Sequence, residues 1–396
     1  MRRTCEKTRA RFVFYSETYL YRSENFLYGQ LRGMTYADVE VVARWGANLA
    51  EFPTDKLFLA EEFRKPLVRL KNAVVRRLLK FEPCRWRLPP YVVSRIARHL
   101  RRDPPELIYC MFGWQAAQII DVLDRVGGRL AYFAGGSDVT SARTMGDDYL
   151  ARLKEVWGRA RLILSGSGFL KGKLLELGAP EEKIVVHYAG VNIPEVVGVE
   201  RKPDRGFRIL AVSRLSPVKG VPLTIRAFAK VAEVIPHATL TVVGDGEDRA
   251  KCEELVEKLG LLDRVVFAGS LPHGQVYQHM SRADVFVQHN VRTGEGQEES
   301  VAGTVSEASA HQLPIVGTKS GGVPEAVIDG RTGILVEPGD VDGMAEAIVR
   351  LYRDPALREE MGKAGRALVE EKFNLDKQNR MLEKLLFEAA GLVYPG

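Results

Sequence analysis

The sequence predicts an α/β protein made of two doubly wound parallel-sheet domains. Three observations predict this fold: short apolar runs alternate with helical stretches, the alternation occurs twice, and a segment rich in charge, proline and glycine (residues 194–206) separates the two series. The chain of 396 residues is long enough for two domains, and 45% hydrophobic and 27% charged residues are ordinary for a globular protein. Because ligands of such sheets bind at the carboxyl ends of the strands, we expect a site in a central cleft that both domains face.

The first half of the chain contains short runs of branched and aromatic residues that predict buried strands. These runs cover residues 11–15, 39–43, 107–112, 130–133, 162–165 and 183–186. Helices are predicted between them, over a stretch that ends at Leu31, most of 56–102, residues 115–126 and a stretch that ends near Leu177. We therefore assign residues 1–195 to a first, Rossmann-like domain.

The same alternation restarts after the linker. Strands are predicted over residues 207–213, 239–243, 265–268, 285–287, 315–316 and 333–336. Helices are predicted over residues 222–234, 249–259, 275–280, 299–310 and 341–390. Residues 206–375 are thus assigned to a second domain, and a C-terminal helix over 376–396 is expected to pack on the first domain.

Basic side chains are concentrated in one segment, residues 64–102. This segment carries thirteen Lys and Arg residues against a single acid, Glu82, although the whole chain has a net charge of only +6. Aliphatic residues, Phe81, Trp86 and Tyr91 alternate with the charges. Basic, amphipathic and aromatic character together is typical of a surface for anionic lipid headgroups. A merely solvated basic face is the alternative, and nucleic acid is not expected because no nucleic-acid-binding motif accompanies the charge.

The remaining composition excludes several classes of protein. Cys5, Cys84, Cys110 and Cys252 lack metal-ligand or redox-motif spacing, which predicts reduced thiols in a cytosolic setting. No apolar run approaches the ~18 residues of a membrane span, and no apolar segment typical of a signal peptide follows the basic N-terminus. No two histidines have ligand spacing either, so solvated or capping histidines are favoured over a metal site.

Two glutamates, Glu299 and Glu307, stand eight positions apart where a polar loop enters a predicted helix. On a helix, an eight-residue step rotates by roughly 80°, so both carboxylates can face one cleft. The spacing therefore suggests an acid/base pair. The alternative is a pair of solvated glutamates on a helix surface.

A second chemical feature is the loop Arg214–Gly220, which follows a predicted strand and opens a helix. Arg214 and Lys219, together with the helix N-terminus, suit a diphosphate, because guanidinium binds two oxygens at once and ammonium supplies a point charge. A loop that only caps the helix is the alternative. The later Gly244-Asp245-Gly246 stretch lacks the spacing of a dinucleotide fingerprint, and a P-loop is absent.

Taken together, the second half of the chain resembles the large family of retaining glycosyltransferases of the GT-B fold known as family 4, or glycosyl transferases group 1. The resemblance covers residues 160–375 well and the N-terminal third loosely. The matching motifs are, in order, Ser213-Arg214-Leu215 with Lys219-Gly220, Gly244-Asp245-Gly246, Val266-Phe267-Ala268-Gly269, Ala283-Asp284-Val285-Phe286-Val287, the Glu299/Glu307 pair, Leu313-Pro314-Ile315-Val316-Gly317-Thr318, Gly321-Gly322-Val323-Pro324-Glu325 and Gly330-Arg331-Thr332-Gly333. The loop before Glu299 is most similar to members that build surface polysaccharides and lipopolysaccharide.

The resemblance implies a nucleotide-diphosphate-sugar donor held mainly by the second domain, and transfer with retention to a lipid-linked or glycan acceptor. No metal or cofactor is expected, since the donor is a co-substrate. Arg214 and Lys219 would bind the diphosphate and stabilise the leaving group, and Glu299 would contact the sugar, so these three are the expected catalytic residues. Glu307 would bind the ribose. The remaining donor-binding positions are Gly244, Gly269, Leu271 and the backbone N–H groups at Ser300, Val301 and Ala302.

The chain also departs from the family pattern. A glycine-containing sequence is usual after the first glutamate, where this chain has Ser300-Val301-Ala302, and Gln312 replaces a helix-ending glycine. The first-domain histidine of many relatives is missing from the stretch Phe133–Asp138, and Cys110 stands at another such position.

The resemblance also implies that the first domain, residues 1–195, is the acceptor side, with Ser16, Glu17 and Asp138 as candidate cleft residues. The expected protein is cytoplasmic and peripherally associated with the inner face of the cell membrane. The alternative is a catalytically degenerate protein that binds a nucleotide sugar without turnover.

Overall fold

The computed structural model describes residues 9–20, 25–61, 86–195, 206–301 and 303–396. The chain divides into two compact units. Unit 1 comprises Met1–Gly166, Lys171–His187 and Asp376–Gly396, and unit 2 comprises Ser167–Leu170 and Tyr188–Leu375. The C-terminal residues thus return to unit 1.

Unit 1 is built on a parallel sheet in which the described strands follow the order β3-β2-β1-β4-β5-β6-β7. The strands are β1 Ala10–Tyr19, β2 Ala37–Gly46, β3 Leu57–Leu59, β4 Leu107–Met111, β5 Arg129–Ala134, β6 Ala160–Ser165 and β7 Ile184–Val186. The helices are α1 Asn25–Arg32, α2 Pro90–Leu100, α3 Gly113–Val126, α4 Ser137–Thr140, α5 Asp147–Arg159 and α6 Gly168–Glu176, with a 3₁₀ turn at Glu181–Lys183. Strand order reverses between β1 and β4, which defines a topological switch point.

Unit 2 repeats this plan with the strand order β10-β9-β8-β11-β12-β13, again all parallel. The strands are β8 Phe207–Val212, β9 Ala238–Val243, β10 Val265–Gly269, β11 Val285–Gln288, β12 Ile315–Thr318 and β13 Gly333–Val336. The helices are α7 Val221–Val234, α8 Arg249–Lys258, α9 His273–Arg282, α10 Gly303–Ala310, α11 Val323–Ala326, α12 Val341–Arg353, α13 Pro355–Lys372 and α14 Leu375–Ala389, the last of which continues into unit 1. The switch point of unit 2 lies between β8 and β11.

Each sheet is covered by helices, so its strands are almost continuously apolar. The core of unit 1 includes residues of α14, whose Phe387 ring lies 5.1 Å from the ring of Phe12 on β1. The buried carboxylate of Glu383 on the same helix accepts hydrogen bonds from the backbone N–H groups of residues 35–37 at 2.6–2.9 Å. The last helix is therefore an integral part of unit 1.

The two predicted parallel-sheet domains are confirmed, but several element bounds differ. Strand β1 continues through Tyr19, so Ser16-Glu17-Thr18 lies within it. Residues 57–59 pair with β2 as a strand instead of opening a helix, and helix α5 has no counterpart in the predicted elements. The chain leaves unit 1 at His187, before the predicted boundary at residue 195, because Val191 pairs with Asn374 and bonds Phe373 in unit 2.

The structure also changes the interpretation of the basic segment. Residues 62–85, which carry most of its charges and Phe81, lie outside the described residues. In the described remainder, the apolar side of α2 and Trp86 are buried in the protein, whereas Arg98 and Arg102 are exposed. The amphipathic pattern of residues 90–100 therefore reflects core packing, and only its charged side is open to a partner.

None of the described helices is long and apolar enough to cross a bilayer. Cys110 and Cys252 are buried free thiols, and Cys5 and Cys84 lie outside the described residues.

Candidate functional site

The loop after β8 places two cations at the carboxyl end of the central strand of unit 2. It forms a 3₁₀ turn, Pro217–Lys219, that runs directly into α7. Gly220 joins the two with φ of +54°, and a Cβ there would lie 2.0 Å from the carbonyl oxygen of His289. A glycine is required at this position, and it sets Lys219 immediately before the N-terminus of α7.

Lys219 and Glu299 form an ion pair at this switch point, because Lys219 follows β8 and Glu299 lies in the chain between β11 and α10. Both side chains are largely covered, at 17% and 15% exposure. Asn290, a buried residue just after β11, donates from Nδ2 to Glu299 Oε2 at 3.3 Å. Thr318 Oγ1 in turn donates to the Asn290 carbonyl oxygen at 2.7 Å. The carboxylate of Glu299 is thus fixed by groups from two loops.

The predicted helix over 299–310 is wrong at its start. Helix α10 begins at Gly303, so Glu299 lies in the preceding loop and the two glutamates do not share one helix. The loop instead packs on the glycines of the later Gly321-Gly322 pair, where added Cβ atoms would lie 1.9 Å and 1.8 Å from the carbonyl oxygens of Glu299 and Ser300. The close backbone approach that glycine provides thus comes from a neighbouring motif.

The residues that follow Glu299 differ in burial. Ser300 is buried, with its Oγ 3.4 Å from the Oγ of Ser167. Val301 is half-buried and packs against the core of unit 2. Ala302 lies outside the described residues.

Arg214 has an exposed side chain. Within the described ranges, no acceptor lies at hydrogen-bonding or ion-pairing distance from its guanidinium. A cation without an internal partner, on the same loop as Lys219, suits an anionic ligand.

Glu307, one turn into α10, is paired with a histidine that the sequence did not single out. His273 Nε2 lies 3.1 Å from Glu307 Oε1, and this hydrogen bond raises the pKa of His273. The ring of Tyr277 packs 4.4 Å from that of His273. Nothing in the local sequence links His273 to a carboxylate on another helix, so sequence reasoning did not single it out.

Gly244 and Gly269, which the sequence predicts at the donor site, set the backbone path at the ends of β9 and β10. Gly244 has φ of +128°, and a Cβ there would lie 1.9 Å from the Ser213 carbonyl oxygen; its N–H donates to the Gly269 carbonyl at 2.8 Å. Arg249 lies against this point, with Nη1 3.7 Å from the Cβ position of Gly269. Leu271 packs on the apolar core of unit 2. These residues fix the backbone after β9 and β10.

In unit 1, Asp138 is fully buried. Its carboxylate accepts from the N–H groups of Gly113, Gly135 and Gly136 at 2.8–3.1 Å, and burial, outweighing these bonds, raises its pKa to about 6. Asp138 therefore holds backbone together in this structure. Ser16 is buried with its Oγ bonded to the Thr18 carbonyl, and Glu17 lies 3.6 Å from Arg44.

No three His, Cys, Asp or Glu side chains are grouped as potential metal ligands in the part of the chain that the structure describes. At the unit 2 switch point the structure brings Lys219 and Glu299 together, with Arg214 on the same loop as Lys219, whereas Glu307 is paired with His273.

Comparison with known proteins bears on this site. Residues 192–368 match the family model for glycosyl transferases group 1. The chain is 29% identical over 324 residues to the GDP-mannose-dependent alpha-(1-6)-phosphatidylinositol monomannoside mannosyltransferase of Mycolicibacterium smegmatis, covering 78% of this chain and 82% of that protein. It is 27% identical to the amylovoran biosynthesis glycosyltransferase AmsK of Erwinia amylovora, covering 63% and 62% of the two chains.

The fold has solved counterparts as well. Anabaena Alr3699/HepE in complex with UDP-glucose superimposes with a TM-score of 0.76 and 20% sequence identity, covering 96% of this chain and 99% of that one. The two parallel-sheet units thus have the GT-B fold, and residues 192–368 within them are similar to the glycosyl transferases group 1.

Proposed function

We propose that this protein transfers a sugar from a nucleotide-diphosphate-sugar to a lipid-linked or glycan acceptor, with retention of the anomeric configuration and without a metal ion. The product would belong to a cell-surface polysaccharide or glycolipid. The similar proteins support the donor class, since one is named GDP-mannose-dependent and another was solved with UDP-glucose. They also support the acceptor class, because the mannosyltransferase acts on a phosphatidylinositol monomannoside.

The observation that carries the proposal is the set of charged residues at the unit 2 switch point. Arg214 offers a cation without an internal partner, and Lys219 and Glu299 are already held next to each other. A diphosphate bound there would receive two cations and the N-terminus of α7, which stabilise the charge that develops on the leaving group. Glu299 would hydrogen-bond the sugar hydroxyls and Glu307 the ribose.

In this mechanism the acceptor hydroxyl attacks the anomeric carbon on the face from which the nucleoside diphosphate leaves. The bond to the leaving phosphate breaks as the new glycosidic bond forms, and a phosphate oxygen takes the acceptor proton. The protein's contribution is orientation and electrostatic stabilisation, which is usually the largest part of such catalysis.

The proposal includes peripheral attachment to the inner face of the cell membrane. The charge of residues 64–102 supports it, since thirteen basic residues oppose one acid. Among the described members of the segment, Arg98 and Arg102 are exposed on the side of the protein that carries α2.

Donor binding is tested by a thermal-shift panel of UDP, GDP and their sugars. A ligand at a hundred times its dissociation constant stabilises the native state by about 2.7 kcal/mol, so one nucleotide series should raise the melting temperature. Arg214→Ala and Glu307→Ala should remove most of this shift. Arg226→Ala is the matched control, because Arg226 is an exposed arginine on α7 in the same unit and should leave the shift unchanged.

Turnover separates the enzyme from a binding module. Slow hydrolysis of the sugar nucleotide by the parent protein, with an anomeric product assigned by NMR, is expected for a retaining transferase. Tight nucleotide binding without any hydrolysis or transfer would favour the non-catalytic alternative. If Arg214→Ala and Glu307→Ala bind the nucleotide as tightly as the parent, the assigned donor site is wrong.

A further inference from the structure

A residue with a strained backbone lies at the carboxyl end of β4 in unit 1. Phe112 has φ of 68° and ψ of 144°, a combination that residues other than glycine rarely adopt. Such a conformation costs on the order of 1–3 kcal/mol and persists only when the surrounding structure enforces it. Backbone strain of this kind is frequent at functional sites.

The strained turn is held by a carbonyl of β5, by the Asp138 carboxylate and by packing against Gly135. The N–H of Phe112 donates to the Phe133 carbonyl at 2.8 Å, and the adjacent Gly113 N–H donates to the buried Asp138 carboxylate at 2.9 Å. That carboxylate also binds the N–H groups of Gly135 and Gly136. The Phe112 ring occupies the space beside Gly135, where an added Cβ would lie 2.5 Å from a ring carbon. The turns after β4 and β5 are therefore locked together by Asp138.

The locked turn presents a stacked aromatic pair. The rings of Phe112 and Trp114 lie 4.6 Å apart at an interplanar angle of 20°. Both residues are half-buried. No acceptor lies within hydrogen-bonding distance of the Trp114 indole N–H among the residues that the structure describes. A flat apolar face with a free donor at its edge is an arrangement that binding sites use.

The pair lies at the switch point of unit 1. Pairing between β1 and β4 ends at Tyr15 and Cys110, after which β1 follows β2 alone. Ser16 and Glu17 therefore lie on one side of the opening between the strands, and Phe112 and Trp114 on the other. In open parallel sheets this is where ligands bind. Glu17 is the charged group at the opening, with 34% of its side chain exposed and Arg44 3.6 Å away.

From this geometry we infer that the Phe112–Trp114 pair is the subsite for the acceptor, and that it binds a single hexopyranose ring. The apolar C–H face of the ring would lie on the indole, and ring hydroxyls would accept from the indole N–H and donate to Glu17. The inference rests on the proposed transferase function and names the residues of unit 1 that hold the acceptor sugar. It gives roles to three features that the donor chemistry leaves unused: the Phe112 strain, the Asp138 clamp and the polar end of β1.

The test uses the full-length protein with octyl and methyl α-mannopyranosides, glucopyranosides and galactopyranosides as probes, and n-octanol as a control for the alkyl tail. Binding is followed by isothermal titration, and transfer by KM for the glycoside and for the sugar nucleotide. Trp114→Ala should weaken binding of the preferred glycoside and raise its KM by about tenfold or more. Trp114→Phe, which keeps a stacking ring, should recover most of the loss.

In both Trp114 variants the KM for the sugar nucleotide should change much less than the KM for the glycoside. Trp157→Phe is the tryptophan control, because Trp157 on α5 is buried in unit 1 and its indole N–H donates to the Tyr132 hydroxyl. It should bind the glycosides as the parent does.

The inference is overturned if the parent binds no glycoside, if Trp114→Ala binds it as tightly as the parent, or if n-octanol binds as well as the octyl glycosides. Equal losses of glycoside and nucleotide binding in Trp114→Ala would also overturn it, since they indicate general unfolding. Absence of donor hydrolysis in the parent would contradict the proposed function and not the subsite. The glycoside titration would still test the subsite in that case.

Discussion

Lys219 and Glu299 are paired with each other. Their charges largely cancel, so in the proposed function Arg214 is the cation of this loop that a diphosphate would meet first. Donor binding would then move the Lys219 ammonium from carboxylate to phosphate and free Glu299 for the sugar hydroxyls. Asn290 keeps Glu299 in place during this exchange, because its amide still donates to the carboxylate.

His289, which follows β11 beside this site, is held as a neutral imidazole. Its Nε2 accepts from the Gly339 N–H at 2.9 Å, so the proton lies on Nδ1, which is 3.3 Å from the sulfur of Met344. Burial lowers the pKa of His289 to about 4. Protonation would remove the acceptor that ties the β11 end to the start of α12.

This pKa predicts a loss of stability in mild acid. The unfolded chain takes up a proton near pH 6.5, whereas the folded chain resists until about pH 4, so stability is complete above pH 6.5 and falls as the pH drops through this window. At pH 5 the loss from this residue is about 2 kcal/mol. His289→Gln should show a smaller difference between urea midpoints at pH 7.5 and pH 5.0 than the parent.

His237→Gln is the control for that measurement, since His237 is exposed in the same unit. Buried His187 and Asp138, whose pKa values are lowered to about 4 and raised to about 6, titrate in the same range but with opposite effects on stability. Both are present in parent and variant, so their contributions cancel in the comparison. An unchanged pH dependence in His289→Gln would contradict the assignment.

Among the elements, α10 ends in a left-handed turn that is built without glycine. Gln312 has φ of +56°, and the Leu313 N–H bonds back to the Ala308 carbonyl at 3.0 Å, which closes the helix as a glycine would. Gly362 of α13 packs against the carbonyl of Gln312, where a Cβ would lie 2.2 Å from the oxygen. The turn is left-handed without a glycine, so the backbone strain is carried by Gln312.

Replacing Gln312 with glycine should therefore stabilise unit 2. The left-handed conformation costs a side chain about 1–2 kcal/mol, part of which is offset by the greater backbone freedom of glycine when unfolded. We expect a net gain of about 0.5–1 kcal/mol for Gln312→Gly in urea denaturation. Gln312→Ala keeps the strained φ and should show no gain. A gain in both variants would mean that the side chain, and not the backbone, is unfavourable.

The sequence predicted the strands of both units well, because parallel strands buried on both faces are continuous apolar runs. The sequence-based prediction failed where tertiary contacts determine whether an element forms or where it begins. Strand β3 is only Leu57–Leu59 and exists through its pairing with β2. The start of α10 at Gly303 is set by the packing of the preceding loop on Gly321 and Gly322, which no local pattern reveals.

The candidate site was predicted to a similar extent. Arg214, Lys219, Glu299 and Glu307 were predicted as donor-site residues because they belong to motifs that can be read along the chain, and the roles assigned to them remain predictions. His273 and the Phe112–Trp114 pair were missed. The pairing of His273 with Glu307 joins two helices, and the backbone angle of Phe112 depends on a carboxylate and two glycines far along the chain.

At the scale of the whole molecule, charge is distributed unevenly along the chain. Residues 64–102 carry thirteen basic residues and one acid, whereas the chain as a whole has a net charge of +6, so the remainder is acidic. In the described part of this segment the apolar side of α2 is buried in unit 1. Attraction to an anionic membrane through these residues would therefore be electrostatic, without insertion of α2.

This charge distribution predicts salt-sensitive binding to anionic vesicles. Each basic residue near such a surface contributes about 1 kcal/mol, so Arg98→Gln with Arg102→Gln should weaken flotation with phosphatidylglycerol-containing liposomes by an order of magnitude or more. Arg350→Gln with Arg353→Gln, on exposed positions of α12 in unit 2, removes the same charge and should have no such effect. Because the Debye length falls from about 10 Å at 0.1 M salt to about 3 Å at 1 M, parent binding should be lost in high salt. Binding that persists in high salt, or equal losses in the two double variants, would show that this surface does not dock the protein by its charge.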